Sequence, residues 1–392
     1  MRAQLPALLC LTLSLPCAAY DVRTDSQGDL VKWTKRVELV LDTHAVALLK
    51  DDQAESAIRA AVKTLDDATP GLEVSLKTGD AKPMGYVNGR TDNQNSILAL
   101  EDWPYSEDAL AVTLVTLNAR TNEVLDADVA FNVKSHHFRV LTETMQGKAN
   151  FDDVQNTVTH ELGHVLGLMH NDVTEDLVMF PSAPQGELIK RTLKADDRDG
   201  LLSLYATAPS APEAAPQVGC SSTGSTSGWV VFAGLLLVLL RPRKAALLAL
   251  APALALAAEP VPSAVKGAEE VALVQVVSRQ SMIHPRNPGL IITELVLAPV
   301  ECLKGTCAAL TRVVVGGGRV GDLEQVAVHE PVPTEGQRIF VTRTAGLSRV
   351  LFVEPRAQAQ LLLDLRALTG WRETQGTPAP RPNASQTPAI AP

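Results

Sequence analysis

The sequence predicts an α+β domain, a mixed five-stranded sheet with helices packed on it, followed by a smaller and mainly β domain. Three observations support this prediction. Strand-like and helix-like apolar patterns alternate over residues 36–133. A helix-like run that is rich in histidine follows at residues 154–168. Five short β-rich runs, separated by glycine, proline and charged residues, follow at 271–277, 290–297, 310–315, 325–328 and 338–342.

The first region, residues 20–207, contains five strand candidates and one long helix before the histidine-rich run. The helix candidate is 53–67, and its apolar side is formed by Ala57, Ala60, Ala61 and Leu65. The strand candidates are, in order, 36–42, 72–78, 96–100, 110–117 and 124–133. Because helices alternate with strands, we expect the strands in one sheet that is covered by helices.

The helix over 154–168 has its own start signal. Asp152 or Asp153 can cap its amino end. Apolar residues then recur at helical spacing. They predict the buried side of the helix: Val154, Val158, Leu162 and Val165.

Residues 160–170 read His-Glu-Leu-Gly-His-Val-Leu-Gly-Leu-Met-His. His160 and His164 are four residues apart, so both imidazoles lie on one helix face and can reach one metal ion. Gly167 lets the chain leave the helix through a conformation that other residues avoid, which brings His170 back to the metal. Three protein ligands and an open position are typical of a catalytic zinc site.

Glu161 cannot point at the metal itself, but its carboxylate can reach a water bound there. Zinc lowers the pKa of such a water to about 7, and a neighbouring carboxylate can accept its proton. The sequence therefore predicts a hydrolytic zinc site with Glu161 as the general base. An inactive metal-binding protein would not need this glutamate.

With these residues the segment resembles the zinc-binding motif of the matrixin-type metzincins, the group that includes the matrix metalloproteases, and more closely their bacterial relatives. Residues 177–181, Leu-Val-Met-Phe-Pro, resemble the family's Met-turn. This implies that Met179 packs beneath the three imidazoles. Residues 193–205 resemble the family's closing helix, and the resemblance covers about residues 29–207.

The resemblance also implies a fold and a substrate. The fold would be a zincin catalytic domain with a mixed five-stranded sheet and a zinc helix. Residues 109–116 and 126–132 resemble two family strands, the second being the edge strand that binds an extended peptide. A protein or peptide substrate and Zn²⁺ follow as expectations, and bound Ca²⁺ is left open.

The sequence departs from the family pattern in several places. No cysteine lies between Cys17 and Cys220, so a cysteine that caps the zinc is not expected. No convincing ligand set for a second zinc is found. We interpret the adjacent His136 and His137 as surface residues, and the isolated histidines of the β-rich region, His284 and His329, as structural.

Charge and cysteine content limit the partners and the compartment. Residues 20–207 carry 31 acidic and 18 basic residues, a balance of −13, which argues against nucleic acid as a partner. Residues 1–19 have the pattern of a secretory signal peptide, so the chain is expected to be exported. Cys302 and Cys307 are then expected to form a disulfide.

The middle of the chain contains a linker and two apolar runs. Residues 208–228 form a Pro-, Ala- and Ser-rich linker that includes Cys220. With the apolar run and basic cluster that follow, Cys220 resembles the C-terminal sorting tag of myxobacterial surface proteins. This implies anchoring or processing at Cys220, sorting or membrane-anchoring machinery as a partner, and a cell-surface location. The alternative is a plain linker with an unrelated cysteine.

The second apolar run, 245–258, resembles a further signal peptide inside the chain. Residues 229–258 therefore form either a membrane hairpin or the junction of two fused reading frames. Residues 259–372 are expected to be a β-rich secreted module, in which Gly316, Gly317 and Gly318 form a turn. Residues 373–392 are expected to be disordered.

These features predict an exported zinc endopeptidase. The alternative is a surface binding or adhesion protein, in which the zincin fold has lost turnover and the β-rich module performs recognition. A third hypothesis is a processing role, in which the peptidase matures a partner held by that module. The sequence makes no prediction about the oligomeric state.

Overall fold

The computed structural model describes residues 20–206, 263–351 and 358–368. These residues belong to one compact unit within Met1–Thr207 and Pro260–Pro392. The proposed signal peptide, the linker with Cys220, both apolar runs and the tail lie outside the described residues. Within the described ranges, no helix combines the length and the apolar character needed to cross a membrane.

The five predicted strands and the helix predicted over 53–67 lie within two residues of observed elements, whereas α3 ends three residues before its predicted end and α1, β6 and β7 were not predicted. Its strands are β1 (Val37–Asp42), β2 (Val74–Gly79), β3 (Asn95–Leu100), β4 (Ala111–Asn118), β5 (Glu123–Asn132), β6 (Phe138–Arg139) and β7 (Asp152–Asp153). Its α-helices are α1 (Thr43–Leu48), α2 (Ala54–Asp66), α3 (Val154–Val165) and α4 (Ala195–Tyr205).

The later part of the chain is mainly β, with a short helix near each end. Its elements are α5 (Ser263–Gly267), β8 (Glu270–Ile283), β9 (Ile291–Lys304), β10 (Arg312–Gly316), β11 (Gly318–Val320), β12 (Leu323–Ala327), β13 (Arg338–Thr344), β14 (Leu347–Leu351) and α6 (Gln358–Leu368). The sequence predicted five of these strands but missed β11, β14, α5 and α6.

The main sheet is mixed, as predicted, but contains seven strands in the order β11-β12-β4-β5-β3-β1-β2. The five predicted strands, β1–β5, are all present in it, with β4 antiparallel to β5 and the other pairs parallel. Strands β6 and β7 form a separate two-stranded sheet. The two additional strands of the main sheet come from the later part of the chain, and β12 pairs antiparallel with β4. The prediction of five strands was therefore incomplete.

The predicted edge strand was wrong. Residues 126–132 belong to β5, which lies between β4 and β3. The two outermost strands of the first region are β4 and, at the opposite end of the sheet, β2. Strands β4 and β5 are almost wholly buried along their length. Their apolar patterns therefore carry no signal that separates an interior strand from an edge strand.

Helices α2 and α3 pack together in the main core. The buried side of α3 is the predicted one, because Val154, Val158, Leu162 and Val165 are each at most 1% exposed. Fully burying each such side chain contributes about 1.5–3 kcal/mol relative to exposure. This packing fixes the opposite face of α3, where the histidines lie.

The second sheet has five antiparallel strands in the order β10-β9-β8-β13-β14 and its own apolar cluster. A disulfide joins Cys302 to Cys307, with 5.8 Å between the Cα atoms. A separate second domain is not confirmed, because the chain leaves this sheet after β10 and enters the main sheet at β11.

The three consecutive glycines make this change of sheet. Gly317 has φ +89° and Gly318 has φ +122°, both in the region that favours glycine. A Cβ atom on Gly318 would lie 2.2 Å from the Thr293 hydroxyl oxygen. Gly316 ends β10 and Gly318 begins β11, so the segment joins two strands and the predicted turn was wrong. The close approach to Thr293 requires glycine at position 318.

Asp153 is expected to be essential for the stability of α3. Its carboxylate accepts bonds from Asn156 N, Leu141 N and the Arg191 guanidinium, and is almost fully buried. Asp153→Ala leaves Arg191 without its partner and should lower the free energy of unfolding by about 3–5 kcal/mol in urea titrations. The exposed control Asp67→Ala should leave the unfolding midpoint unchanged, and equal effects would contradict this role.

Candidate active site

Helix α3 begins at Asp153, the second of the two predicted caps. The Asp153 carboxylate accepts the Asn156 N–H at 2.8 Å, as an N-cap does. The helix then runs to Val165 and presents the first two histidines from its last two turns.

The carbonyl groups at the end of α3 are held by three buried side chains. The Arg23 guanidinium donates to His164 O at 3.2 Å, Trp33 Nε1 to Val165 O at 2.8 Å, and the Tyr205 hydroxyl to Leu166 O at 2.7 Å. These bonds cap the carboxyl end of the helix, where His164 O also accepts the Gly167 N–H at 3.1 Å. Gly167 follows with φ +99° and turns the chain back, as predicted.

The structure brings the three predicted histidines together and adds a fourth. His160, His164, His170 and His329 each offer a ring nitrogen, and these four atoms lie within 4.8 Å of one another. His160 and His164 lie 4.7 Å apart between ring centroids, and His164 and His170 lie 4.8 Å apart. This cluster is the only group of this kind among the described residues.

Two of the rings are oriented by backbone carbonyls. His160 Nδ1 lies 2.6 Å from Val178 O, and His164 Nδ1 lies 2.8 Å from Leu168 O. A carbonyl only accepts, so each Nδ1 carries the proton and each Nε2 keeps its lone pair. Within the described residues, the buried Nε2 of His164 has no hydrogen-bond partner. A metal ion fits this donor set, because metal-bound histidines are typically oriented this way.

Burial keeps these imidazoles neutral. It lowers the pKa of His160 to about 4 and the pKa of His170 to about 2. Burial also lowers the pKa of His164 well below its usual value. Neutral imidazole is the form that binds a metal, so the site needs no deprotonation before binding at neutral pH.

Met179 packs against α3 between the first two histidines. A Cβ atom on Gly163 would lie 2.4 Å from Met179 Sδ, so only glycine allows this contact. The Asp197 carboxylate of α4 accepts Val178 N at 3.2 Å and Met179 N at 3.3 Å. The loop that orients His160 is therefore held by both α3 and α4.

Glu161 is 2% exposed and is held by β4. The Thr113 hydroxyl donates to Glu161 Oε2 at 2.6 Å. His329 Nε2 lies 3.1 Å from Glu161 Oε1 and 3.4 Å from Oε2. Burial by itself raises the pKa of this carboxyl, but His329, His160 and Thr113 outweigh it and lower the pKa on balance. Glu161 is thus ionised at neutral pH.

The interpretation of His329 as an isolated structural residue was wrong. Its ring centroid lies 5.6 Å from that of His160, 5.0 Å from His164 and 4.8 Å from His170. The signal available in the sequence was its position directly after the predicted strand 325–328. Nothing in the local pattern showed that this strand joins the main sheet.

The remaining candidate residues lie elsewhere. His136 is half-buried and contacts Asp152 Oδ2 at 3.3 Å and Glu107 O at 3.0 Å, so its interpretation as a surface residue was wrong. His137 is exposed, as expected. The disulfide cysteines take no part in the histidine cluster. Calcium stays a prediction that nothing in the described residues tests.

Comparison with known proteins finds similarity to one peptidase family over part of the chain. Residues 32–206 match the profile of the family Peptidase_M10, Matrixin. The chain is 36% identical over 86 residues to the Metalloendoproteinase 5-MMP of Arabidopsis thaliana, covering 20% of this chain and 23% of that protein. It is 41% identical over 61 residues to the human Matrix metalloproteinase-25, covering 15% of this chain and 11% of that protein.

The chain thus spans less than a quarter of the length of either relative. The family match covers β1–β7 and α1–α4 but not the two strands that the later part of the chain adds to the main sheet. Together the matches support a zinc metalloendopeptidase domain of the matrixin type.

Zinc is expected to stabilise the folded chain through these histidines. At a zinc concentration about a thousand times the dissociation constant, binding to the folded state alone adds about 4 kcal/mol. A chelator-treated sample should therefore melt at a clearly higher temperature once zinc is added. His164→Ala should remove most of this zinc-dependent increase, whereas the exposed control His137→Ala should keep it. An increase that survives in His164→Ala would exclude the cluster as the zinc site.

Proposed function

We propose that this matrixin-type region is an endopeptidase that hydrolyses internal bonds of a protein or peptide, with zinc held by His160, His164 and His170. The observation that carries the proposal is the position of Glu161. Its carboxylate is buried beside the converging imidazoles and held at 2.6 Å by Thr113. A purely structural metal site would not require an ionised carboxylate at that place.

The chemistry follows from the arrangement of these groups. Bound zinc supplies Lewis acidity for the scissile carbonyl and lowers the pKa of a nearby water. Glu161 accepts the proton of the attacking water on a carboxylate oxygen and transfers it to the leaving amine. Thr113 fixes the carboxylate through its hydroxyl, and the loop of Val178 and Met179 fixes the ring of His160.

We place this activity outside the cytoplasm. The signal-like pattern of residues 1–19 supports export. A disulfide between Cys302 and Cys307 suits an oxidising compartment. Anchoring through Cys220 by sorting machinery is part of the same proposal and rests on the sequence pattern alone. The catalytically silent adhesion protein is not favoured, because a recognition role gives no reason to keep Glu161.

Glu161→Gln is expected to abolish turnover while keeping zinc and the fold. The test uses the full chain carrying His329→Ala, because His329 contacts the same carboxylate. Loss of a general base typically costs about 10²–10⁴-fold in rate, measured with casein or a quenched fluorescent peptide. Zinc content by mass spectrometry should stay the same.

Glu143→Gln in the same background is the matched control, since Glu143 is an exposed acid outside the site. It should cleave at the rate of its parent. Near-normal cleavage by the Glu161→Gln variant would refute the proposed mechanism. Zinc-loaded protein without any cleavage of peptides by the parent would instead favour the adhesion hypothesis.

A further inference from the structure

The edge of the main sheet next to the candidate site is occupied by the chain itself. Strand β12 pairs antiparallel with β4, with Leu323 opposite Asn118 and Ala327 opposite Leu114. Beyond the strand, Val328 N donates to Thr113 O at 3.0 Å, and at the other end Ala119 N donates to Asp322 O at 2.8 Å. An extended peptide that adds a strand to a sheet edge makes this pattern of bonds.

Buried polar contacts fix the register of β12. Gln325 is 1% exposed, and its amide nitrogen donates to the Thr116 hydroxyl and to Gly289 O, each at 3.0 Å. Its amide oxygen accepts Ile291 N at 2.8 Å. A shift of the strand by one residue would leave these buried groups unsatisfied, which is costly.

Further contacts join the later part of the chain to the same side of the first region. Tyr86 N donates to Gly289 O at 2.9 Å, and Arg349 donates to Tyr105 O at 3.2 Å. Ser106 N donates to the Glu330 carboxylate. Ala327 joins an apolar cluster with Trp103 and other residues of the first region. The β12 contact is therefore part of an extended interface.

The chain turns away immediately after it reaches the site. Glu330 N donates to Ala327 O at 3.0 Å, so residues 327–330 form a turn. His329 lies in that turn and projects to Glu161 and the three imidazoles. Residues 327–330 thus reach the site as a turn and not in the extended form in which a peptide adds to a strand.

We propose that His329 is a fourth ligand of the metal, and that residues 318–330 form a built-in inhibitory segment that keeps the peptidase latent. The inhibitory role rests on the proposed function, because latency presupposes a peptidase. The fourth ligand rests on the geometry alone. Four protein nitrogens leave zinc without the open position that a catalytic site keeps. At the same time β12 fills the sheet edge at which a peptide substrate would bind, and His329 shields the general base.

The first region has no cysteine that could cap the metal, and in this arrangement His329 takes that place. Because the segment belongs to the same chain, its effective concentration at the site is high and does not depend on protein concentration. One turn connects β12 to His329, so the two contacts stabilise the same closed state. Loss of either contact therefore shifts the equilibrium towards the open state, in which both β12 and His329 have left the site.

Cobalt substitution tests the fourth ligand without measuring activity. The full chain is loaded with Co²⁺, and its visible absorption is recorded before and after acetohydroxamic acid is added. In the wild-type chain a closed four-nitrogen site should give an intense tetrahedral spectrum that the hydroxamate leaves unchanged. In His329→Ala the spectrum should weaken and then shift on addition of the hydroxamate. A wild-type spectrum that responds to hydroxamate overturns the proposal, whatever the variant does.

Latency is tested by casein cleavage with the zinc-loaded full chain. The wild type should cleave slowly, and His329→Ala should cleave at least about tenfold faster, which corresponds to a shift of 1.4 kcal/mol or more towards the open state. The control His44→Ala replaces an exposed histidine on α1 and should stay latent. Equal and substantial cleavage by all three chains overturns the inhibitory role while the proposed function stands.

The two proposals fail in distinguishable ways. If no chain cleaves casein but His329→Ala opens the cobalt site to hydroxamate, the fourth ligand is supported and the proposed function fails. If His329→Ala cleaves rapidly and the wild-type cobalt site is closed, both are supported.

Discussion

The reversal of the chain at Gly167, directly after helix α3 ends, is the constraint on which the rest of the structure depends. Two histidines lie on the helix and the third lies beyond it, so they meet only if the chain turns back within a few residues. The turn leaves carbonyl groups that the helix cannot pair. Arg23, Trp33 and Tyr205 come from opposite ends of the first region to bond them. The ends of the first region are thus held at the site by a hydrogen-bonding requirement of one helix.

Thr113 connects strand β4 to the general base Glu161. Thr113 lies in β4, and its hydroxyl holds Glu161 while its carbonyl accepts the Val328 N–H. A peptide that pairs with β4 would therefore bond the residue that orients the general base. Binding at the edge and the position of the carboxylate are coupled through one residue, so the strand is part of the active site and not only its border.

The sequence was sufficient where the signal is local. The strands and helices of the first region follow from apolar periodicity, and His160, His164 and His170 follow from their spacing within eleven residues. Pairing between distant strands leaves no such pattern. Strand β12 was predicted as a strand, but its partner β4 lies far away in the sequence. The glycines at 316–318 join β10 to β11, and nothing in their sequence shows that the chain enters the main sheet there. His329 and the interior position of β5 were missed for the same reason.

Covering β4 also has a consequence for solubility. An exposed edge of eight residues, with its N–H and C=O groups unpaired, is a template on which other copies of the chain can assemble. In the described fold the sheet ends instead at β11, which is three residues long and carries Arg319. A short, charged outer strand discourages intermolecular pairing. When β11 and β12 leave the sheet, β4 becomes its edge strand and exposes eight residues of unpaired backbone. Other copies of the chain would then compete with a peptide for pairing with β4.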